Sequence, residues 1–366
     1  MKNQPLFTSC DFIDKTPPKR IHFIWVGSSV PDKYLIHTII KMSLLAKRSQ
    51  FEFNLWVDND RNFTHAFSNL KINGFQFDIM AKPADLGIRL RPIQSLISSM
   101  KQDRFYQKNN HLKAFCHDVS REMVGFKNLA AAADFLRYEI LRQEGGFYFD
   151  TDTIFNYDPR SLLKSENLPL GIKINATLTS RECCYNNDII ATIAHHPALE
   201  NAIHFALKRY VALDCEKVNP KENPEYFGRF FRVNPISCRM DAKRYPYHPA
   251  KFGSDNQYSS ERFIQTLDAS GPRALFEGIT TFLCDYFELD DTYSKEFRAA
   301  FKAIEIKPYM EFILKEPSTD FPKKRCLSLA GIKLYSAADK TWAIIIKPNK
   351  VYAFDDCSIN PLSVFK

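Results

Sequence analysis

The sequence predicts an α/β fold in which a mostly parallel sheet is flanked by helices. Three observations carry that expectation. Apolar, strand-like runs alternate with helix-patterned segments from residue 20 onward, the order that builds parallel sheets. The first run, Ile21 to Val26, is continuously apolar and aromatic apart from one histidine and closes on Gly27, as a strand buried on both faces does. The strongest helical segment, 126–146, stops at a double glycine and leads directly into another apolar run.

Taken in order, the elements follow from local pattern. After Gly27, apolar residues at 35, 36, 39, 40, 44 and 45 keep helical spacing, and Pro31 suits a first helical turn. FEFNLWVDND gives a second strand ending in Asp58, Asn59 and Asp60, and FQFDIM over 75–80 reads as a third. Residues 82–126 are mixed and helical in parts. FKNLAAAADFLRYEILRQEGG over 126–146 is rich in Ala and Leu at helical repeat. FYFDTDTIF is then strand, acidic turn and short strand, and LPLGIKIN is a further strand. HPALENAIHFALKRYVAL reads as a helix, 215–260 as loop, and WAIIIKP as a last strand. No repeat, low-complexity tract or linker interrupts the chain, so a single domain over 1–366 is expected.

Composition narrows the classes. The 366 residues are 45% hydrophobic and 25% charged, a globular balance. Apolar runs such as IIATIA fall well short of the roughly 20 residues of a membrane span, and the first residues lack the apolar stretch of a Sec-type leader. A soluble protein with no transmembrane segment is expected. Net charge is +8, but no basic stripe or nucleic-acid module accompanies it. That excludes nucleic acid as the expected partner and leaves peripheral contact with an acidic membrane surface open. Nine cysteines without a CxxC pair point to a reducing compartment rather than a disulfide framework. Cys183 and Cys184 are adjacent, a spacing ill-suited to tetrahedral zinc.

GGFYFDTD over 145–152 is the motif with chemistry. Ligands of open α/β sheets sit at the C-terminal ends of strands. At a turn just past such an end, Asp150 and Asp152 can converge on one hard cation, Mn2+ or Mg2+, which bridges the oxygens of a diphosphate. Taken alone, a D-x-D is more often a solvated acidic turn. Context favours the cation. Asp134 and Arg137 share a face of the preceding helix, and reversal at Gly145-Gly146 returns the acidic strand beside it. A carboxylate there accepts from sugar hydroxyls, and a guanidinium holds phosphate oxygens. The plain alternative is a surface ion pair of little energetic weight.

NLAAAADFLRYEILRQEGGFYFDTD, with RIHFIWVG upstream, resembles the DxD glycosyltransferases that share a sugar-binding region. These include the clostridial glucosylating toxins, bacterial effector glycosyltransferases and the yeast initiating α-1,6-mannosyltransferase. The pattern A-x-D-x-x-R followed by GG-x-Y-x-D-x-D is long and specific, and the resemblance as a whole covers about 20–58 and 126–158 and extends to NNDIIATIAHHP and GP. The resemblance implies a GT-A-type fold, with a nucleotide-binding core over about 20–158 and acceptor and closing elements over about 170–366. It implies a metal-dependent, retaining transfer of a sugar from a UDP-sugar, glucose or N-acetylglucosamine, to a protein or glycan acceptor.

By that resemblance, Trp25 stacks on the uracil and Leu129 borders it. Asp134 and Arg137 hold the donor sugar and diphosphate, and Tyr148 packs beside them. Asp150 touches ribose and sugar and reaches the metal through water, while Asp152 ligates the metal. Asn187 and Asp188 lie near the reacting carbon, and Trp342 closes over the diphosphate. Thr341 stands where relatives carry a Ser, which leaves the third metal ligand open, and Ala133 replaces another Ser. The toxins' leading helical bundle is not expected in the 19 residues before Arg20. The acceptor divides the remaining readings. A host protein implies an effector or toxin secreted into host cytosol. A surface polysaccharide implies a bacterial cytoplasmic enzyme, and a non-catalytic sugar-nucleotide-binding module is the competing class.

Overall fold

The computed structural model describes residues 16–27, 30–72, 75–76, 82–109, 111–120, 122–123, 128–155, 170–178, 183–214, 266–267, 269–289, 310–314, 325–329 and 332–336. Strand β1 is Arg20–Trp25 and β2 is Glu52–Val57. Between them an α-turn, Asp32–Tyr34, runs into a π-helical stretch, Leu35–Ile40, and then helix α1, Lys41–Arg48. Helix α2, Asp60–Ser68, begins where Asn59 accepts a bond from the Arg61 amide, an N-cap of ordinary type. Of the predicted strand at 75–80, Phe75–Gln76 pairs with Lys71–Ile72, as β4 and β3 of a separate two-stranded hairpin; residues 77–80 lie outside the described residues.

The third strand of the main sheet is instead β5, Ile88–Pro92, parallel to β2. Its arginines alternate with Ile88 and Leu90, the pattern of an edge strand with one wet side, so it lacks the apolar run that marks β1. Helices α3, Ile93–Met100, α4, Arg104–Asn109, and α5, His111–Ser120, follow. Helix α6 is Leu129–Glu144 and leads into β6, Gly146–Phe149, with β7 at Thr153–Phe155. Then come β8, Ile172–Leu178, β9, Cys183–Thr192, and α7, Pro197–Asp214. Helix α8, Pro272–Tyr286, precedes β10, Met310–Leu314, β11, Arg325–Leu329, and β12, Ile332–Ser336. The predicted loop at 215–260 and the predicted strand WAIIIKP lie outside the described residues.

Among the described residues the main sheet has the order β5-β2-β1-β6-β9-β8-β10-β11-β12-β7. The first four strands are mutually parallel, as the strand–helix alternation predicts. From β9 onward the sheet is mixed: β9 runs antiparallel to both β6 and β8, and β10 parallel to β8. Only residues 150–152 separate β6 from β7, a span of about 10 Å. The sheet therefore curls until its last strand returns beside the acidic turn.

Both faces of β2, β1 and β6 are buried. Phe23, Phe147 and Phe149 pack into the layer beneath α1, while Ile24 and Tyr148 face the layer built by α6, α7 and α8. His22 sits inside this sheet as a neutral imidazole. Trp56 Nε1 donates to its Nδ1 at 3.2 Å, its Nε2 donates to Gly145 O at 2.9 Å, and burial holds its pKa down to about 3. No described helix is long and apolar enough to cross a membrane.

Candidate active site

The reversal at Gly145-Gly146 explains which side chains meet. Both glycines have positive φ, +62° and +96°, and a Cβ on Gly146 would stand 2.6 Å from Arg20 O. Only glycine lets the chain turn so tightly under β1. Arg137 lies eight residues before Gly145, about 12 Å back along the helix. Asp150 lies four residues after Gly146, about 13 Å along the strand. The two therefore arrive level with one another.

The side chains realise that geometry. Arg137 Nη1 lies 3.2 Å from Asp150 Oδ1 and donates to Asn187 O at 2.6 Å. Its Nη2 meets Asp134 Oδ1 at 3.0 Å, and its guanidinium carbon sits 4.6 Å above the Tyr148 ring. The Tyr148 hydroxyl donates to Asp150 Oδ1 at 2.6 Å. Asn187 Nδ2 donates to Asp134 Oδ1 at 2.8 Å and to Tyr138 Oη at 2.9 Å. The Asp150 amide donates to Asp188 O at 2.9 Å, which ties the turn to β9.

The cluster is graded from dry to wet. Asp134 is 3% exposed and Arg137 4%, whereas the Asp150 side chain is 34% exposed. Burial raises the Asp134 pKa to about 6 against the lowering pull of Arg137 and Asn187. Burial opposes charge on Arg137, but Asp150, Tyr148 and Asp134 outweigh it and keep the guanidinium firmly protonated. A fixed cation thus stands between a buried carboxylate and a half-open one. Such a cation is suited to an anionic group entering over the turn.

Asp150 and Asp152 both stand at this turn, partly exposed. Among the described residues no three His, Cys, Asp or Glu converge as a ready-made metal cage. Two hard carboxylates at an open turn fit Mg2+ or Mn2+, which bind through one or two carboxylates and take their other ligands from phosphate and water.

Other predicted residues frame the same strand ends. Trp25 ends β1, half-buried, its ring 5.6 Å from that of Tyr34. Leu129 abuts the turn after β1, where a Cβ on Gly27 would meet its Cδ1 at 2.6 Å. The Gly27 amide donates to Asp58 Oδ2 at 2.9 Å. Asp134, Arg137, Tyr148, Asp150, Asn187 and Asp188 are brought together, while Trp342 and Thr341 lie outside the described residues. Two participants escaped the sequence reading. Tyr138 was legible as the residue four beyond Asp134 on one helix face. Ser270 comes from a segment 136 residues away, and its hydroxyl donates to Asp134 Oδ2 at 3.0 Å. The Gly271-Pro272 start of α8, with apolar residues at 275, 276, 279, 282 and 283, is the signal that marks that helix.

Residues 46–169 match the family described as the glycosyltransferase sugar-binding region containing the DXD motif. This segment carries the sugar-binding region of a DXD glycosyltransferase. Its DXD is Asp150-Thr151-Asp152, and Asp134 and Arg137 fall within the matched span. No curated protein matches the chain by sequence. Among solved structures, the PaToxG glycosyltransferase is similar at 16% identity, covering 80% of this chain and 78% of that one with a TM-score of 0.44. The UDP-bound glycosyltransferase domain of the YGT toxin is 12% identical over 74% of this chain and 78% of that one, TM-score 0.43. The catalytic domain of alpha-toxin from Clostridium novyi is 12% identical over 92% and 81%, TM-score 0.41.

Proposed function

We propose that this glycosyltransferase region takes its sugar from a UDP-sugar, with glucose or N-acetylglucosamine as the donor sugar, and works with Mn2+ or Mg2+ held by Asp152 and Asp150. One observation carries the reading: Arg137 joins the buried Asp134–Asn187 pair to the half-exposed DXD turn through its contact with Asp150. A diphosphate above the turn meets the Arg137 fork, and sugar hydroxyls meet Asp134. Trp25 and Leu129, at the end of β1, offer apolar surface to the uracil. A cation held by Asp152 and Asp150 would neutralise charge on the leaving diphosphate.

In this reading transfer retains configuration. The bond between the anomeric carbon and the diphosphate oxygen breaks, and the acceptor oxygen bonds to that carbon from the same face. The acceptor proton passes to the departing diphosphate. No side-chain nucleophile is required, and Arg137 provides the electrostatic stabilisation that dominates such steps. The acceptor is a host protein, the setting that the resemblance to toxins and effectors implies, and the chain works as one domain.

The test is hydrolysis of UDP-glucose and UDP-N-acetylglucosamine without acceptor, followed by mass spectrometry with and without Mn2+. Expected is Mn2+-dependent release of free sugar that Asp152→Asn abolishes while circular dichroism stays unchanged. Full hydrolysis by the Asp152→Asn variant, or no turnover of any UDP-sugar, overturns the proposal.

A further inference from the structure

We propose that Ser270 is a positioning residue for this reaction, holding the Asp134 carboxylate in register with Asn187 and Arg137 from the start of helix α8. The proposal rests on the donor-site reading above. Its structural basis is a closed hydrogen-bond circuit. Ser270 Oγ donates to Asp134 Oδ2, and Asn187 Nδ2 donates both to Asp134 Oδ1 and to Tyr138 Oη. The Tyr138 hydroxyl donates to Gly271 O at 2.8 Å, next to Ser270. The circuit links α6, β9 and the 269–272 segment, and every member side chain is buried.

Ser270 supplies the half of the clamp at the second carboxylate oxygen. Asp134 Oδ1 receives Asn187 and Arg137, whereas among the described residues Oδ2 receives only Ser270. The terminal torsion of an aspartate is broad, so a carboxylate pinned at one oxygen swings about it. Pinning the second oxygen removes that freedom, and displacements of an ångström cost large factors in rate. The segment is itself anchored. The Gly271 amide donates to Thr266 O at 2.8 Å, and Asn128, the N-cap of α6, donates to Thr266 Oγ1 at 2.9 Å. A Cβ at Gly271 would stand 2.8 Å from Thr266 O and 3.4 Å from Asp134 Oδ2. Glycine there lets the backbone come close enough for Ser270 to reach.

The experiment compares wild type, Ser270→Ala, Ser270→Thr and Tyr138→Phe as full chains. UDP binding is read by calorimetry, donor hydrolysis by kcat and KM, and the Asn187 side-chain amide by NMR hydrogen exchange. Positioning predicts that Ser270→Ala binds UDP with unchanged stoichiometry and affinity, loses on the order of 10- to 100-fold in kcat, and shifts KM far less. Ser270→Thr, which keeps the hydroxyl, recovers most of kcat. Tyr138→Phe falls in the same direction, and its loss adds less than fully to that of Ser270→Ala, because both act through one circuit. A Ser270→Ala kcat within twofold of wild type overturns the proposal, as does parallel loss of UDP stoichiometry and kcat. If wild type turns over no UDP-sugar, the donor reading fails and exchange decides alone. Accelerated Asn187 amide exchange in Ser270→Ala then supports the clamp, and unchanged exchange overturns it.

Discussion

Helix α6 carries two acid–arginine pairs at the same spacing, Asp134–Arg137 and Glu139–Arg142, and the fold treats them differently. The second pair is sealed. Glu139 is 0% and Arg142 1% exposed. Arg142 Nε donates to Glu139 Oε2 at 2.8 Å and its Nη2 to Asp103 Oδ2 at 2.7 Å, with Glu200 Oε1 3.3 Å from Nη1. The Tyr106 hydroxyl donates to Glu139 Oε2 at 2.7 Å. This network clamps α4, α6 and α7. The first pair ends instead on Asp150, which faces solvent at the strand end. Five residues separate the pairs, so they point about 140° apart around the helix. The same chemistry becomes a staple on one face and, in the proposed reading, a binding cluster on the other.

The largest expected difference is in stability. Arg142→Met leaves Glu139 buried without its main partner, and breaking such a pair costs about 3–5 kcal/mol. Denaturant unfolding should show that loss, while turnover per folded molecule stays near wild type. A variant within about 1 kcal/mol of wild type would erase the contrast.

Arg137→Lys probes the other pair. Lysine keeps the charge but not the two-point fork, so kcat should fall on the order of 100-fold, with a smaller stability loss than Arg142→Met. Steady-state kinetics beside thermal melts checks this. A variant keeping most of its kcat would make Arg137 a second staple.

Next comes pH. With its pKa raised to about 6 from an ordinary 3.8, native Asp134 holds more protons than the unfolded chain between those values. Stability therefore falls as pH rises through that window, and what is present below about pH 4 is gone above about pH 6. The slope is at most about 1.4 kcal/mol per pH unit. Asp134→Asn should abolish that slope in unfolding measured from pH 4 to 7. An identical pH profile in the variant would mean that Asp134 titrates as an exposed carboxylate.

The two pairs also show what could be read in advance. Both have the spacing of a helix-surface ion pair, and nothing within α6 separates them. The distinction came from the glycine reversal and the acidic turn that follow, which place Asp150 beside Arg137 and leave Glu139 facing α4. The strands β1, β2 and β6 were legible because burial on both faces makes them apolar nearly throughout. Edge strand β5 hid behind alternating arginines, and β9 behind the adjacent polar residues Asn187 and Asp188, the first of which a sheet tolerates because its side chain bonds Asp134 and Tyr138. Ser270 was marked only by the Gly271-Pro272 helix start beside it, and nothing local pointed to Asp134, 136 residues away.

The smallest expected effect is a change in UDP affinity, and it belongs to a second contrast, between two tryptophans. Trp56 is buried in β2, donates to His22 Nδ1 and lies under Arg91, whose guanidinium carbon is 4.4 Å from its ring. Trp25 ends β1, half-buried beside Tyr34. If Trp25 is the platform for the uracil, Trp25→Ala loses one base-stacking contact, about 1–3 kcal/mol by analogy with single-strand binders. UDP affinity by calorimetry should then weaken about tenfold in a variant that still folds. Trp56→Ala should instead cost stability, about 3–5 kcal/mol for a truncated core aromatic, and leave the UDP affinity of the surviving native fraction unchanged. Unchanged affinity in a folded Trp25→Ala variant would assign both rings to the core. Among the described residues the end of β1 would then offer the base Leu129, Tyr34 and the backbone of Gly27.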